Sequence, residues 1–249
     1  MHVNNALRAR VESGAQGPFA TVTRISEYKR APMHFDFNIP LLKQAELKRD
    51  EYEIPAQEIA SFIEYVGSRQ WSPDDLPDGA DAWMVVPDAA RLFDGYHRAL
   101  KAAHRKLMLK STLHVVDELV GLPNEQMLRT LRTSQSMALM RQKQPRTPLL
   151  VLAVQLGFGG HHNCLSSAQV DKRFVPGEFM LGDFELSNIL ATYPGCLENS
   201  QDRGLIAGGD RFDDYAPAYR VNRRTLLRQL KQIEDIDHSF RVATAIPFK

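Results

Sequence analysis

Segments with strand-like and helix-like patterns alternate irregularly along this chain of 249 residues. Residues 18–25 and 34–39 are rich in β-branched and aromatic side chains, and residues 82–86 and 149–156 form short apolar runs typical of buried strands. Residues 55–66 carry their apolar side chains at helical spacing. Because the alternation is too irregular for a doubly wound parallel sheet, we expect an α+β fold with helices on one face of an antiparallel sheet.

The middle of the chain predicts a helical hairpin. Asp88 is a suitable N-cap for a helix that continues to about residue 120, where Gly121 and Pro123 follow. A second helical pattern covers residues 124–143. Two helices joined by a short loop pack as antiparallel neighbours, so we expect a hairpin that projects from the body.

The last third of the chain predicts a second α+β half. The glycine-rich sequence GFGGHHN occupies residues 157–163, residues 219–233 have the pattern of a basic amphipathic helix, and residues 240–246 predict a terminal strand. The predicted organisation is an N-terminal half at residues 1–87, an inserted basic hairpin at 88–146 and a C-terminal half at 147–249.

The composition favours a cytoplasmic protein without membrane contact. Hydrophobic residues make up 43% of the chain, yet no apolar run approaches the roughly 20 residues of a membrane helix. The N-terminus lacks the charge and apolar order of a signal peptide. Cys164 and Cys196 are too few for a disulfide framework, which indicates free thiols in a reducing compartment.

The formal net charge of +1 conceals a strongly bipolar distribution. Residues 43–88 hold 4 Lys or Arg against 11 Asp or Glu, whereas residues 91–146 hold 11 against 4. Such asymmetry points to nucleic acid or another polyanion as partner. The alternative is that the acidic segment neutralises the basic one within the fold.

Basic side chains spaced along the predicted helices are the candidate RNA contacts. Arg91, Arg98 and Arg105 are seven residues apart and share one side of a helix, so they can follow successive phosphates. Cations of the return arm and of the C-terminal helix extend this surface. The predicted RNA-binding residues are Arg91, Arg98, Lys101, Arg105, Lys106, Arg129, Arg132, Arg141, Arg223 and Arg224.

Common catalytic and cofactor motifs are absent from the sequence. It contains no GxGxxG, GxxxxGK[ST], GxSxG or HExxH. His161, His162 and Cys164 raise the alternative of a small-molecule enzyme, but adjacent histidines seldom bind one metal ion together. We therefore expect no metal and no cofactor.

The glycine loop, the terminal strands and the inserted basic hairpin together resemble the CRISPR RNA-processing endonucleases of the RAMP superfamily, in particular the type IV branch with its arginine-rich helical finger. The resemblance implies a ferredoxin-like antiparallel sheet body with an inserted basic α-helical hairpin. It also implies an antiviral-defence protein that processes precursor RNA at repeat hairpins and stays bound to the product, with other subunits of a ribonucleoprotein complex as further partners. Family members carry a glycine-rich loop near the C-terminus, and residues 157–163, or Gly204 with Gly208 and Gly209, take that place here.

The chemistry implied by the resemblance is metal-independent cleavage, in which the ribose 2′-OH attacks the adjacent phosphate. That step needs a proton acceptor, a proton donor and cations for the pentacoordinate charge. From residue type and from position on the terminal strands, the predicted catalytic set is Arg24, Arg30, His34 and Arg241. The competing hypothesis is a non-catalytic nucleic-acid-binding or assembly protein of a mobile genetic element.

Overall fold

A computed structural model of the chain describes residues 35–120, 126–158, 165–198, 204–237 and 239–248. The strand expected at residues 18–25 lies outside these ranges. Residues 35–39 belong to no strand, so the strand expected at 34–39 is wrong for its described part. Within the same ranges no helix combines the length and apolar character needed to cross a membrane.

The described helices run as follows: α1 (Leu41–Glu51), α2 (Ala56–Gly67), α3 (Ala89–Leu92), α4 (Tyr96–Lys110), α5 (Leu131–Lys143), α6 (Ser167–Asp171) and α7 (Asp183–Thr192). The described strands are β1 (Ala82–Pro87), β2 (His114–Asp117), β3 (Leu128–Arg129), β4 (Leu149–Gln155), β5 (Phe179–Met180), β6 (Gly204–Ile206), β7 (Asp210–Arg211), β8 (Tyr215–Asn222), β9 (Thr225–Gln232), β10 (Phe240–Val242) and β11 (Thr244–Ile246).

The strands form two main sheets and one short ribbon. A four-stranded sheet has the order β1-β4-β11-β5, and each of its pairs is antiparallel. A five-stranded sheet has the order β10-β6-β8-β9-β2, in which the two outer pairs are parallel and the inner pairs antiparallel. Strands β3 and β7 form the ribbon. The fold is therefore α+β as expected, but in place of one antiparallel sheet there are two main sheets, one of which is mixed.

Helix α7 packs between the two main sheets. Residues 183–191 are all buried, and Leu186 and Leu190 belong to the same apolar cluster as Leu152 of β4 and Tyr219 of β8. Helices α1 and α2 cover the opposite face of the β1–β4 pair with a second cluster. Burial on both faces explains why β4 is apolar at residues 149–154.

Several elements confirm the sequence analysis. The predicted strands at residues 82–86 and 149–156 correspond to β1 and β4, and the predicted helix at 55–66 corresponds to α2. Asp88 is an N-cap, because its Oδ1 accepts the backbone N–H of Ala90 at 3.2 Å.

Residues 88–146 do not form the expected pair of long helices. Gly95 interrupts the first helical pattern with φ +101, a conformation that residues with a side chain rarely adopt. Helix α4 then ends at Lys110, and Val115 and Val116 pair with β9 instead. The second half contains β3 before α5 begins. Pairing with distant strands outweighs the local helical pattern.

Helix α4 does not project as a finger. It packs on α7 and buries Leu100, Ala103 and Leu107. Strands β2 and β3 from the same segment pair with β9 and β7, and β1 pairs with β4. Among the described residues, strands from the three predicted segments therefore pair with one another in the same sheets.

The helix predicted at residues 219–233 is a β-hairpin. Strands β8 and β9 meet at a tight turn in which Arg223 has φ +56. Leu226 and Arg228 are buried, whereas the residues on either side of each are more exposed. This alternation is typical of a strand. Arginine is an unusual residue for a positive φ, so the turn carries none of the usual glycine signal.

The terminal strand predicted at residues 240–246 is present but divided. Strand β10 belongs to the five-stranded sheet and β11 to the four-stranded sheet. Buried Ala243 lies between them and bonds through its backbone to Ile206 and Leu181. The segment of residues 240–246 therefore connects the two sheets.

Candidate functional site

Three of the predicted RNA-binding cations lie on the outer side of α4. Arg98, Lys101 and Arg105 face away from the buried side of the helix. Arg98 lies 3.5 Å from the exposed carboxylate of Asp94, whereas Lys101 and Arg105 have no ion pair among the described residues. Lys106 also has no carboxylate partner there, and its ammonium lies 5.7 Å from the ring centre of Tyr52. The outer face of α4 is therefore a line of accessible positive charge.

A second group of cations surrounds a cleft at one end of the four-stranded sheet. Arg91 comes from α3, Arg141 from the last turn of α5, and Arg146 from the loop before β4. The cleft has a volume of about 830 Å³. We call it the arginine cleft, and the residues that line it are Arg91, Ala138, Arg141, Gln142, Gln144 and Arg146.

The buried carboxylate of Asp88 holds two arginines of the cleft. Nε of Arg141 lies 2.9 Å from each carboxylate oxygen, and Nε of Arg91 lies 3.4 Å from Oδ2. Arg91 also donates through Nη1 to the carbonyl of Thr147 at 2.9 Å. Both Nη groups of Arg141 are without a hydrogen-bond partner in the described parts of the chain. The two guanidinium groups are thus held in place and still have N–H donors available for a ligand.

The loop that carries Arg146 is anchored by Gln144. Its buried amide donates to the carbonyl of Val151 at 2.8 Å and accepts the backbone N–H of the same residue at 2.8 Å. The hydroxyl of Thr147 donates to the carbonyl of Leu149 at 3.0 Å. These bonds fix the loop to β4, so the third arginine extends from a rigid base.

The charges of the arginine cleft fit an anion with several oxygen atoms. The cleft holds three guanidinium groups, and one carboxylate pairs with two of them, which leaves an excess of positive charge. Guanidinium is always ionised and presents paired N–H donors that match phosphate oxygens. The cleft is therefore a candidate phosphate-binding site.

Comparisons with known protein families, with curated proteins and with solved structures give no match to this chain. The functional assignment consequently depends on the geometry of the site. Of the predicted RNA-binding residues, Arg91 and Arg141 meet in the arginine cleft. Arg223 and Arg224 are exposed at the β8–β9 turn.

Two predicted RNA-binding residues already have partners within the protein. The side chain of Arg129 is only 12% exposed and forms ion pairs with Glu185 and Asp210, so its guanidinium already has partners within the protein. Arg132 lies 4.4 Å from the ring centre of Phe174 and donates to the carbonyl of Glu178 at 3.1 Å. Arg132 is exposed, but these neighbours hold its guanidinium in place.

The predicted catalytic set is described in one member only. Arg24, Arg30 and His34 lie outside the described residues, so their convergence with Arg241 stays a prediction. Arg241 is on β10 and only 8% exposed. A Cβ atom added at Gly157, which has φ +77, would lie 2.4 Å from Cδ of Arg241. Arg241 therefore packs against the start of the glycine-rich segment.

The residues considered as metal ligands are likewise outside the described ranges. His161, His162 and Cys164 fall there, whereas Cys196 is buried. Burial raises the pKa of the Cys196 thiol to about 12, so this thiol is not a reactive nucleophile. Among the described residues no group of three His, Cys, Asp or Glu side chains is placed to hold a metal ion.

A buried polar network, which the sequence did not indicate, surrounds the first turn of α7. The carboxylate of Asp183 accepts hydrogen bonds from Tyr219 and Arg228 and lies 3.0 Å from Nε2 of His104. Asp183 is fully buried. Burial opposes its ionisation, but Arg228 and His104 outweigh this and hold the pKa of Asp183 far below its usual range. We call this group the Asp183 network.

A neighbouring buried group centres on Asp210. Its Oδ2 accepts the hydroxyl of Tyr96 at 2.5 Å and the backbone N–H of Asp183 at 2.6 Å. Burial and the nearby carboxylate of Glu185 raise the pKa of Asp210 to about 6, although Arg129 acts in the opposite direction. A Cβ atom at Gly182 would collide with this group, because it would lie 2.7 Å from Oδ2 of Asp210.

The raised pKa of Asp210 predicts a pH-dependent stability. The folded-state pKa of about 6 exceeds the unfolded value, so the contribution of this carboxyl is fully present at low pH and is lost as pH rises through 6. Between about pH 4 and pH 7 we expect the wild-type free energy of unfolding to fall by up to about 3 kcal/mol relative to that of Asp210→Asn. Urea unfolding of both proteins across that range measures it. A difference that stays constant with pH would contradict the assignment.

Proposed function

We propose that the protein binds RNA through the sugar-phosphate backbone, with the arginine cleft as its main contact. The observation that carries the proposal is the buried carboxylate of Asp88, which fixes Arg91 and Arg141 beside each other. Side chains that are fixed before binding lose little conformational entropy when a phosphate arrives. Arg146 contributes a third guanidinium from an anchored loop.

The exposed face of α4 supports the same proposal. Arg98, Lys101 and Arg105 follow one another along the helix, as contacts to successive phosphates of a strand would. The acidic segment at residues 43–88 pairs with the basic segment through Asp88. Lys101 and Arg105, by contrast, have no acidic partner in the described ranges. Their charge is thus available to a polyanion.

The finer form of this proposal is that the protein is an endonuclease of the RAMP superfamily with a ferredoxin-like body. In that form the RNA is a repeat hairpin, and cleavage uses the 2′-OH without a metal ion. The placement of Arg241 against Gly157 supports it, because it sets a cation beside the glycine-rich segment. A nucleic-acid-binding protein of a mobile element that does not cleave is the alternative.

Single-turnover incubation of saturating protein with a labelled hairpin RNA in EDTA tests both forms. The proposal predicts retention of the RNA at low salt, and its finer form predicts a defined cleavage product. Arg241→Ala should then slow cleavage by about 10²–10³, the effect of removing one donor that stabilises transition-state charge, with little change in binding. Retention without a product would support the alternative. No retention of the hairpin, of single-stranded RNA or of DNA would overturn the proposal.

A further inference from the structure

We propose that the arginine cleft holds a terminal phosphomonoester of the bound nucleic acid, rather than an internal phosphodiester. This inference rests on the proposed function and names the chemical group that the cleft takes. It distinguishes the cleft from the outer face of α4, whose cations are arranged for a continuous backbone.

The charge of the arginine cleft matches that of a phosphomonoester. A phosphomonoester carries about −1.5 to −2 charges at neutral pH and has three terminal oxygens, whereas an internal diester carries one charge on two oxygens. The cleft presents the three guanidinium groups of Arg91, Arg141 and Arg146, with Asp88 as the carboxylate that holds two of them. The resulting excess of two positive charges matches the monoester.

The donors of the arginine cleft are arranged differently from those of α4. Arg91 and Arg141 approach the same carboxylate, so their guanidinium groups are neighbours and can act on one phosphate group. On α4, by contrast, Arg98 and Arg105 are two helical turns apart and face separate phosphates. Convergence of donors from α3, α5 and the loop before β4 suits a chain end better than a passing strand.

The remaining lining of the cleft fits a terminal nucleotide. The volume of about 830 Å³ leaves room beyond a single phosphate group. Gln142 is exposed at the cleft and has no hydrogen-bond partner among the described residues, so its amide is available to a sugar or base. Gln144 is not available, because both sides of its amide bond to Val151.

The test uses one short single-stranded RNA sequence in three forms: with a 5′-phosphate, with a 3′-phosphate, and with hydroxyl groups at both ends. The wild-type protein is expected to bind one phosphorylated form about tenfold to a hundredfold more tightly than the hydroxyl form, the effect of an added charge-assisted contact. Arg146→Ala should abolish this preference. Arg173→Ala, which removes an exposed arginine elsewhere, should retain it.

Equal affinity of the wild-type protein for all three forms would overturn the inference and leave the proposed function intact. If the protein binds none of the three RNA forms, both the inference and the proposed function are overturned. A preference that survives in Arg146→Ala would also overturn the assignment to the cleft. Displacement of the bound RNA provides a second measurement. Adenosine monophosphate should displace the phosphorylated RNA from the wild-type protein, whereas adenosine, which lacks the phosphate, should not.

Discussion

Methionine in place of Arg228 is expected to lower the free energy of unfolding by about 3–5 kcal/mol, the effect of breaking a buried ion pair. Arg228 is 3% exposed and donates to the carboxylates of Asp183 and Asp117. Methionine preserves much of the apolar contact of the side chain. It leaves the fully buried Asp183 without its main cation, so the destabilisation reports on charge rather than on packing.

Urea unfolding measures this destabilisation, and Arg224→Met is the matched control. Arg224 lies in the β8–β9 turn that precedes the same strand and is exposed, so its replacement should leave stability close to that of the wild type. Equal stability of the two variants would contradict the role given to the Asp183 network. Adding Asp183→Asn to Arg228→Met should restore part of the stability, because the unpaired charge is then removed.

Replacing Arg91 and Arg146 by alanine is expected to raise the dissociation constant for single-stranded RNA by about 10²- to 10⁴-fold at low salt, given about 1.5–3 kcal/mol for each charge-assisted hydrogen bond. The slope of log affinity against log salt should become shallower by about 0.7 for each phosphate that the variant no longer neutralises. Fluorescence anisotropy titrations across a salt series measure both quantities. Asp88 keeps Arg141 and the N–H of Ala90 as partners, so the variant should fold.

The matched control for this titration is Lys172→Ala with Arg173→Ala. Both side chains are exposed beyond α6, and their removal lowers the net charge by the same amount. The control should retain most of the affinity, because general attraction falls equally in both variants. If affinity and slope fall to the same extent in the two double variants, binding depends on net charge and not on the arginine cleft.

Local patterns predicted those elements whose residues are buried in a regular way. Strand β4 is buried on both faces and is apolar at residues 149–154, and α2 buries Ile59, Phe62 and Val66 on one side. The helix expected from Asp88 to about residue 120 is interrupted at Gly95, where the backbone has φ +101. Elements that depend on distant pairing, such as β2 and β9, carried no comparable signal.

The sequence indicated the residue types of the arginine cleft but not how these residues come together. Arg91 and Arg141 stood out as cations of one basic segment, while Asp88 stood out only as an N-cap. Their meeting depends on the pairing of β1 with β4, which brings residues 88 and 148 together. Arg129 belongs to the same basic segment, yet Glu185 and Asp210 draw it into the interior. Both outcomes depend on residues that are far apart in the sequence.

Chemical footprinting of the wild-type protein tests most directly whether the arginine cleft binds RNA. Phenylglyoxal modifies accessible guanidinium groups, and mass spectrometry of the digested protein gives the rate at each arginine with and without saturating RNA. We expect RNA to slow modification of Arg91 and Arg146 severalfold and to leave exposed Arg69 and Arg173 unchanged. Modification of Arg91 and Arg146 at the same rate in the presence of bound RNA would contradict the assignment of the cleft.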